Sequence, residues 1–266
     1  MLKVSHEVFS ELYEESTKFN DFDYALAPLV LTNEKYRDFY NKQSLRGREV
    51  WLDNGAFELG HPLPFKDIIK AARLIGATHF IFPDILQNAK QTMANYKKYK
   101  DKVKTMKHIV CVQGKTEEEF MECYRYFAGQ KDIDIIAIPF AIKFYDNYLN
   151  LDSKRWAFSR QIIIDKLIAF GGVNYDKKHH LLGCIDPLEF KRYRDGIYRY
   201  RFIKSIDTSC PIALGYEHRT LTEKMGFVGD KPKMLMMENI DQGLTNLQKN
   251  IIRQNVTAFA KIIGKK

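Results

Sequence analysis

The stretch WLDNGAFELG, residues 51–60, runs an apolar, extended-favouring segment into an acid, an Asn-Gly pair and a phenylalanine. Val50, Trp51 and Leu52 read as a strand with Asp53 at its carboxyl end. Taken alone, Asp-Asn-Gly is ordinary turn material, because Asx side chains bond their own backbone and glycine tolerates positive φ. The same punctuation returns along the chain. HFIFPD ends in Asp84, HIVCVQG in Gln113-Gly114, IIAIPF in Pro139-Phe140; HHLLGCIDP carries Gly183 and IKSIDT carries Asp207. Whether Asp53 does more than turn the chain therefore depends on the fold that joins these strand ends.

Short β-rich runs alternate with longer amphipathic ones. The strand candidates are 24–31, 49–53, 78–82, 108–112, 133–138, 179–183 and 202–207, with an eighth expected near 211–215. Between them, PFKDIIKAARLIG has Pro64 at its start and Gly76 at its stop, and KTEEEFMECYRYFAG opens with Thr116 and Glu119 in capping-box spacing. LTNLQKNIIRQNVTAFAKIIG (244–264) carries a helical apolar stripe that would close the fold. A βα unit repeated seven or eight times means a TIM-type barrel or a doubly wound sheet. No Gly-rich phosphate fingerprint follows the first strand, which disfavours the dinucleotide-binding version. The expected architecture is α/β, a (βα)8 TIM-type barrel forming a single domain over residues 1–266.

Composition bounds the function. With 266 residues, 45% hydrophobic and 28% charged, the chain reads as globular. Its longest apolar stretch, YALAPLVL (24–31), is too short to span a bilayer, and the amphipathic start is unlike a signal peptide, so a cytoplasmic protein without a membrane partner is expected. Cys111, Cys123, Cys184 and Cys210 form no zinc-spaced cluster; no metal and no cofactor are expected. The net charge of +9 favours a polyanionic partner. Basic residues cluster in KKYKDKVKTMK (97–107), which reads as a helix end. They cluster again in FKRYRDGIYRYRFIK (190–204), where six Lys/Arg interleave with Tyr193, Tyr198 and Tyr200. Cations neutralise phosphates while aromatic rings stack on bases, so Arg192, Arg194, Tyr198, Arg199 and Arg201 are candidate nucleic-acid contacts; a solvated face is the plainer account.

In a (βα)8 barrel the carboxyl ends of the strands ring one mouth, where active sites are built. Asp53, Asp84 and Asp207 with Gln113 then form a constellation suited to acid–base and nucleophilic work at a sugar carbon. Phe57 supplies a stacking face, and Asp84 with Gln113 can read a base edge. Each has a plainer account: Asp207 as a turn or helix cap, Asp84 as an N-cap, Gln113-Gly114 as a loop start, Phe57 as core. Cys111 and Cys184 read as core thiols. His179 and His180 are adjacent on a strand and face opposite ways, which argues against a shared metal.

These residues resemble a family. DNGAF is similar to the Asp-Ser-Gly-Gly-Phe motif of tRNA-guanine transglycosylases, VQGKTEEEF to their Val-Gln-Gly stretch, HLLGCIDPLEF to their His-Tyr-Leu-Met-Gly-Val-Gly-x-Pro segment, and SIDTSCP to their Phe-Asp-Cys-x-x-Pro. All four occur in the family's order across residues 50–211. The family's zinc-binding module is missing, since no cysteine follows Cys210, and its Gly-Leu-Ala-Val-Gly is replaced by AIPFAI, where Pro139 has no N–H to offer. A short, zinc-free, basic chain looks more like the DNA-guanine transglycosylases of phages and genomic islands.

The resemblance implies roles. Asp207 would be the nucleophile at C1′ and Asp53 the proton shuttle. Asp84, Gln113, Gly114, Phe57, Phe140 and Gly183 would hold the base, and the basic stretch would grip the opened strand. The partners implied are DNA, or alternatively tRNA, and a free 7-deazaguanine such as 7-cyano-7-deazaguanine. A non-catalytic nucleic-acid-binding subunit on the same barrel is the competing reading, disfavoured by the presence of both Asp53 and Asp207. A hydrolytic N-glycosylase is a further alternative.

Overall fold

A computed structural model describes residues 2–142, 144–145, 155–184, 186–195, 198–227, 230, 232 and 236–265. Eight parallel strands alternate with helices: β1 (Lys3–His6), β2 (Asp23–Leu26), β3 (Val50–Asp53), β4 (His79–Ile81), β5 (Lys107–Cys111), β6 (Ile135–Pro139), β7 (Lys178–Leu182) and β8 (Ile203–Thr208). Their order is β1-β8-β7-β6-β5-β4-β3-β2, a nearly closed (βα)8 barrel. The seam between β1 and β2 is closed by the residues before β2. Asp21 takes the Val4 N–H on its carboxylate (2.7 Å) and gives its own N–H to the Val4 carbonyl (2.9 Å); the Asn20 amide exchanges bonds with the His6 N–H (2.8 Å) and carbonyl (3.0 Å). Backbone groups that would stay orphaned at an open edge are thus satisfied.

Two strand expectations are corrected. The segment 24–31 is a strand only to Leu26; Ala27–Thr32 is helical, with Pro28 in the first turn, where its missing N–H is harmless. Residues 211–215 lie in the helix Cys210–Tyr216, again with proline in the first turn. The eighth strand is instead KVSH at the start, hydrogen-bonded to β8 with Ser5 opposite Asp207.

Side chains alternate across each strand. The outward set, including Val4, Val50, Leu52, Phe80, Val110, Ile136, Leu181 and Ile206, packs under the helices. The inward set forms a separate cluster inside the barrel: Tyr24, Trp51, Ile81, Ile109, Cys111, Ile135 and Ala137, with Phe22 beneath. Asp53 is two residues beyond Trp51, so the pleat turns it inward, at the top of this column. Asp207 stands likewise above buried Ser205. Local caps hold the helix starts. Thr116 accepts the Glu119 N–H at the start of Glu117–Ala128, and Thr245 with Gln248 completes a capping box on Asn246–Ile262. Among the described residues no helix is long and apolar enough to cross a membrane.

Candidate active site

A cavity of about 280 Å³ opens at the carboxyl ends of the strands. Asp53, Phe57, Asp84, Gln113, Phe140, Gly183 and Asp207 all line it. Gly114 does not. It packs beneath the helix Glu117–Ala128 so closely that a Cβ would stand 2.4 Å from the Phe120 nitrogen, so its glycine serves helix packing.

Asp207 is oriented through one oxygen. Its Oδ1 accepts the Gly183 N–H (3.1 Å) and lies 2.9 Å from His180 Nε2, whose Nδ1 meets the Ser205 hydroxyl at 2.9 Å. With the hydroxyl donating to Nδ1, Nε2–H donates to Asp207. Oδ2 has no partner among the described residues, and the side chain keeps 18% exposure at the cavity. Asp207 caps no helix; the cap residue is Ser209, and Thr208 takes the Cys210 N–H. Arg160, fully buried in a bidentate pair with Glu189, donates to the carbonyls of Leu182 (2.8 Å) and Gly183 (3.0 Å). It therefore pins the end of β7 that presents Gly183.

Asp53 is both a turn residue and a wall of the cavity. Its Oδ1 takes the Gly55 N–H (2.7 Å) in an Asx turn, and its Oδ2 accepts from the Tyr24 hydroxyl (2.5 Å). Gly55 is required there, with φ +78° and Pro28 where a Cβ would stand. Tyr24 stacks on His180 with ring centroids 5.9 Å apart, linking the two acids through one aromatic layer. Burial pushes the Asp53 carboxyl up to about 6, with the charges of Asp84 and Asp207 adding, against the bonds from Tyr24 and Gly55.

Asp84 is buried and holds an amide on each oxygen: Asn54 Nδ2 at 2.7 Å and Gln113 Nε2 at 2.6 Å. Burial nevertheless raises its carboxyl. It is not a helix cap, since Asn88 caps the following helix. Gln113 spends its other end on the Gln87 N–H (3.0 Å), so its amide holds Asp84 and the loop. Phe57, 45% exposed, is no core residue; it meets Phe140 edge to face at 4.9 Å. Gly183, at φ +66°, lies against the Phe140 ring.

Two carboxyls at the mouth escaped the sequence reading. Glu7 follows β1, a strand absent from the candidates, and comes up on the inner face beside Asp207. Glu58 sits in the short helix Ala56–Leu59, just past the Asp-Asn-Gly turn. Burial pushes the Glu58 carboxyl up to about 8, with the charges of Asp53, Asp207 and Asp84 adding. Burial and the neighbouring Glu58, Asp207 and Asp53 hold Glu7 well above the usual range too. Glu7 was detectable in principle, as one more acid just past a strand end.

The basic Tyr-rich stretch is not brought to this mouth. It descends the outer wall after β7 and turns into the amino end of β8, about 13 Å of strand below Asp207. Arg192 pairs with Asp165 and bonds the Tyr200 hydroxyl, Arg199 approaches Asp165 at 3.5 Å, and Arg194 pairs with Asp195. Arg201 lies over the rings of Tyr198 and Tyr175. His179 points outward to Tyr124, away from His180, as the strand pleat requires. Among the described residues no group of three or more His, Cys, Asp and Glu side chains is arranged to hold a metal ion. A scan against protein-family models and a search of curated proteins both find no match.

Proposed function

We propose that this protein is a base-exchanging transglycosylase that replaces guanine in DNA by a 7-deazaguanine through a covalent aspartyl-glycosyl ester. One observation carries the reading: Asp207 is held through a single oxygen while its other oxygen has no partner among the described residues, at a small cavity lined by further carboxyls and three aromatic rings. A carboxylate so oriented suits attack on an anomeric carbon.

In this reading Asp207 Oδ2 attacks C1′. The C1′–N9 bond breaks, its electron pair leaves with the base, the base takes up a proton, and the sugar remains on Asp207 as an ester. N9 of the entering base then gives up its proton, attacks C1′ and expels the carboxylate. Two inversions leave the configuration retained. The exchange consumes no cofactor, because the ester conserves the bond that is broken. The resemblance assigns the proton transfer to Asp53. Guanine suits Asp84, whose oxygens keep acceptor capacity for adjacent N–H donors that adenine lacks. A site built on such bonds rejects an analogue without them by about 10⁴–10⁵. The target base must leave the helix to reach the cavity.

The test is incubation of the purified protein with labelled guanine and either duplex DNA or tRNA. Label entering DNA, lost with Asp207→Asn, is the expected result. Label entering tRNA alone moves the same chemistry to the other polymer, and label entering neither refutes the reading.

A further inference from the structure

The carboxyls at the mouth differ in what their oxygens touch. Both oxygens of Asp53 and both of Asp84 are engaged by protein donors. Glu58 Oε2 and Glu7 Oε1 are shielded from solvent yet have no partner among the described residues. Leaving such an atom unsatisfied destabilises the fold, a loss tolerated where a ligand completes the bond. Glu58 follows Phe57 directly and lines the same cavity as Phe140 and Asp207.

We infer that Glu58, rather than Asp53, gives the leaving guanine its proton and takes one back from the entering base. The inference rests on the transglycosylase reading and specifies which residue serves it. Glu58 enters the reaction as a neutral acid, since burial and the charges of Asp53 and Asp207 hold its proton on up to about pH 8. As Asp207 becomes an ester it loses its charge. Glu58 hands its proton to the departing base in the same half-reaction and becomes the carboxylate. Negative charge thus moves from Asp207 to Glu58 while the total in the buried site is unchanged, and the second half-reaction reverses it. Asp53, already bonded on both oxygens to Tyr24 and Gly55, acts as the fixed charge that keeps Glu58 protonated, whereas Glu58 Oε2 lacks a partner among the described residues.

The test compares two oligonucleotide substrates in single-turnover formation of the covalent adduct, resolved on denaturing gels. One carries guanine at the target position. The other carries 7-methylguanine, which is already cationic and leaves as a neutral base without a proton from the enzyme. A site that takes in 7-substituted bases has room for the methyl group. Glu58→Gln should slow adduct formation on guanine by about 10²–10⁴ and stay within about threefold of wild type on 7-methylguanine. Asp53→Asn should lose less than about tenfold on guanine, a loss well short of a general acid's. Asp207→Asn should form no adduct on either. In the wild type, the guanine rate should fall above about pH 8 and the 7-methylguanine rate should not. This pH arm stands even if the variant folds poorly. Equal loss on both substrates, no loss on guanine, or a guanine-specific loss in Asp53→Asn instead would overturn the assignment. A wild type that forms no adduct on DNA or tRNA would sink the transglycosylase reading itself, whereas a wild type that forms it and a Glu58→Gln variant that matches it would sink only the proton assignment.

Discussion

Glu58→Gln should make the protein more stable, by an amount that grows as the pH rises from about 4.5 to about 8. The Glu58 carboxyl lies at about 8 in the fold against 4.5 in the unfolded chain. Because the fold raises this value, it favours the protonated form. The group's stabilising contribution is fully present below about pH 4.5 and is lost as the pH climbs through about 8. Three and a half pH units at about 1.36 kcal/mol each set an upper limit near 5 kcal/mol. Asp53, raised from 3.8 to about 6, and Glu7 compete for the same protons, so the share belonging to Glu58 is about 2–4 kcal/mol. Glutamine keeps the shape and carries no charge. Urea unfolding at pH 9 should therefore show the variant more stable by about 2–4 kcal/mol, or roughly 5–15 °C in melting temperature for a chain of this length. At pH 4.5 the two proteins should agree within about 0.5 kcal/mol. A difference of the same size at both pH values, or a wild type that is the more stable at pH 9, would refute the reasoning: Glu58 would then ionise freely in the folded state. A variant both more stable and less active is the signature of a residue kept for chemistry at the expense of the fold.

Two further substitutions probe the frame around the site. Gly183→Ala places a Cβ 2.4 Å from the Phe140 ring at φ +66°; it should destabilise by about 1–3 kcal/mol and, by moving the N–H off Asp207, slow adduct formation at least about tenfold. Melting curves and single-turnover gels check the pair, and a wild-type rate would show that the Gly183 N–H does not orient the nucleophile. Arg192→Gln, Arg194→Gln and Arg201→Gln combined should leave exchange into a short oligonucleotide within about twofold and its salt dependence unchanged, since these residues lie on the outer wall and do not line the cavity. A salt slope lowered by about one unit per arginine would mean instead that the polymer wraps the barrel wall.

Much of the site was legible because it is written locally. Asp53, Asp84, Gln113 and Asp207 each follow a short apolar run at its carboxyl end, and the barrel turns that one-dimensional regularity into a shared mouth. The Gln113 head group is engaged within the protein itself. Its amide is spent on Asp84 and Gln87, partners whose positions depend on loops elsewhere in the chain. The place of the basic stretch was illegible for a related reason. Composition reports that six cations and three tyrosines are adjacent in sequence, but not which end of the barrel receives them.

The amino-acid sequence by itself determined the alternation of strand and helix, the cap at Thr116, and the acids at the strand ends. Each depends on residues within a few positions of one another, through side-chain periodicity, capping bonds and turn chemistry. Only the tertiary structure decided that KVSH is the eighth strand, because a four-residue strand covered on both faces shows no alternation to read. Only it brought His180 and Gly183 onto one oxygen of Asp207, and Arg160 beneath them. Only it set Glu7 and Glu58 beside Asp53 and Asp207, where shared burial and like charge hold protons on carboxyls that would otherwise release them. Proton affinity depends on solvent exclusion and on charges distant in the chain, and the folded barrel supplies both.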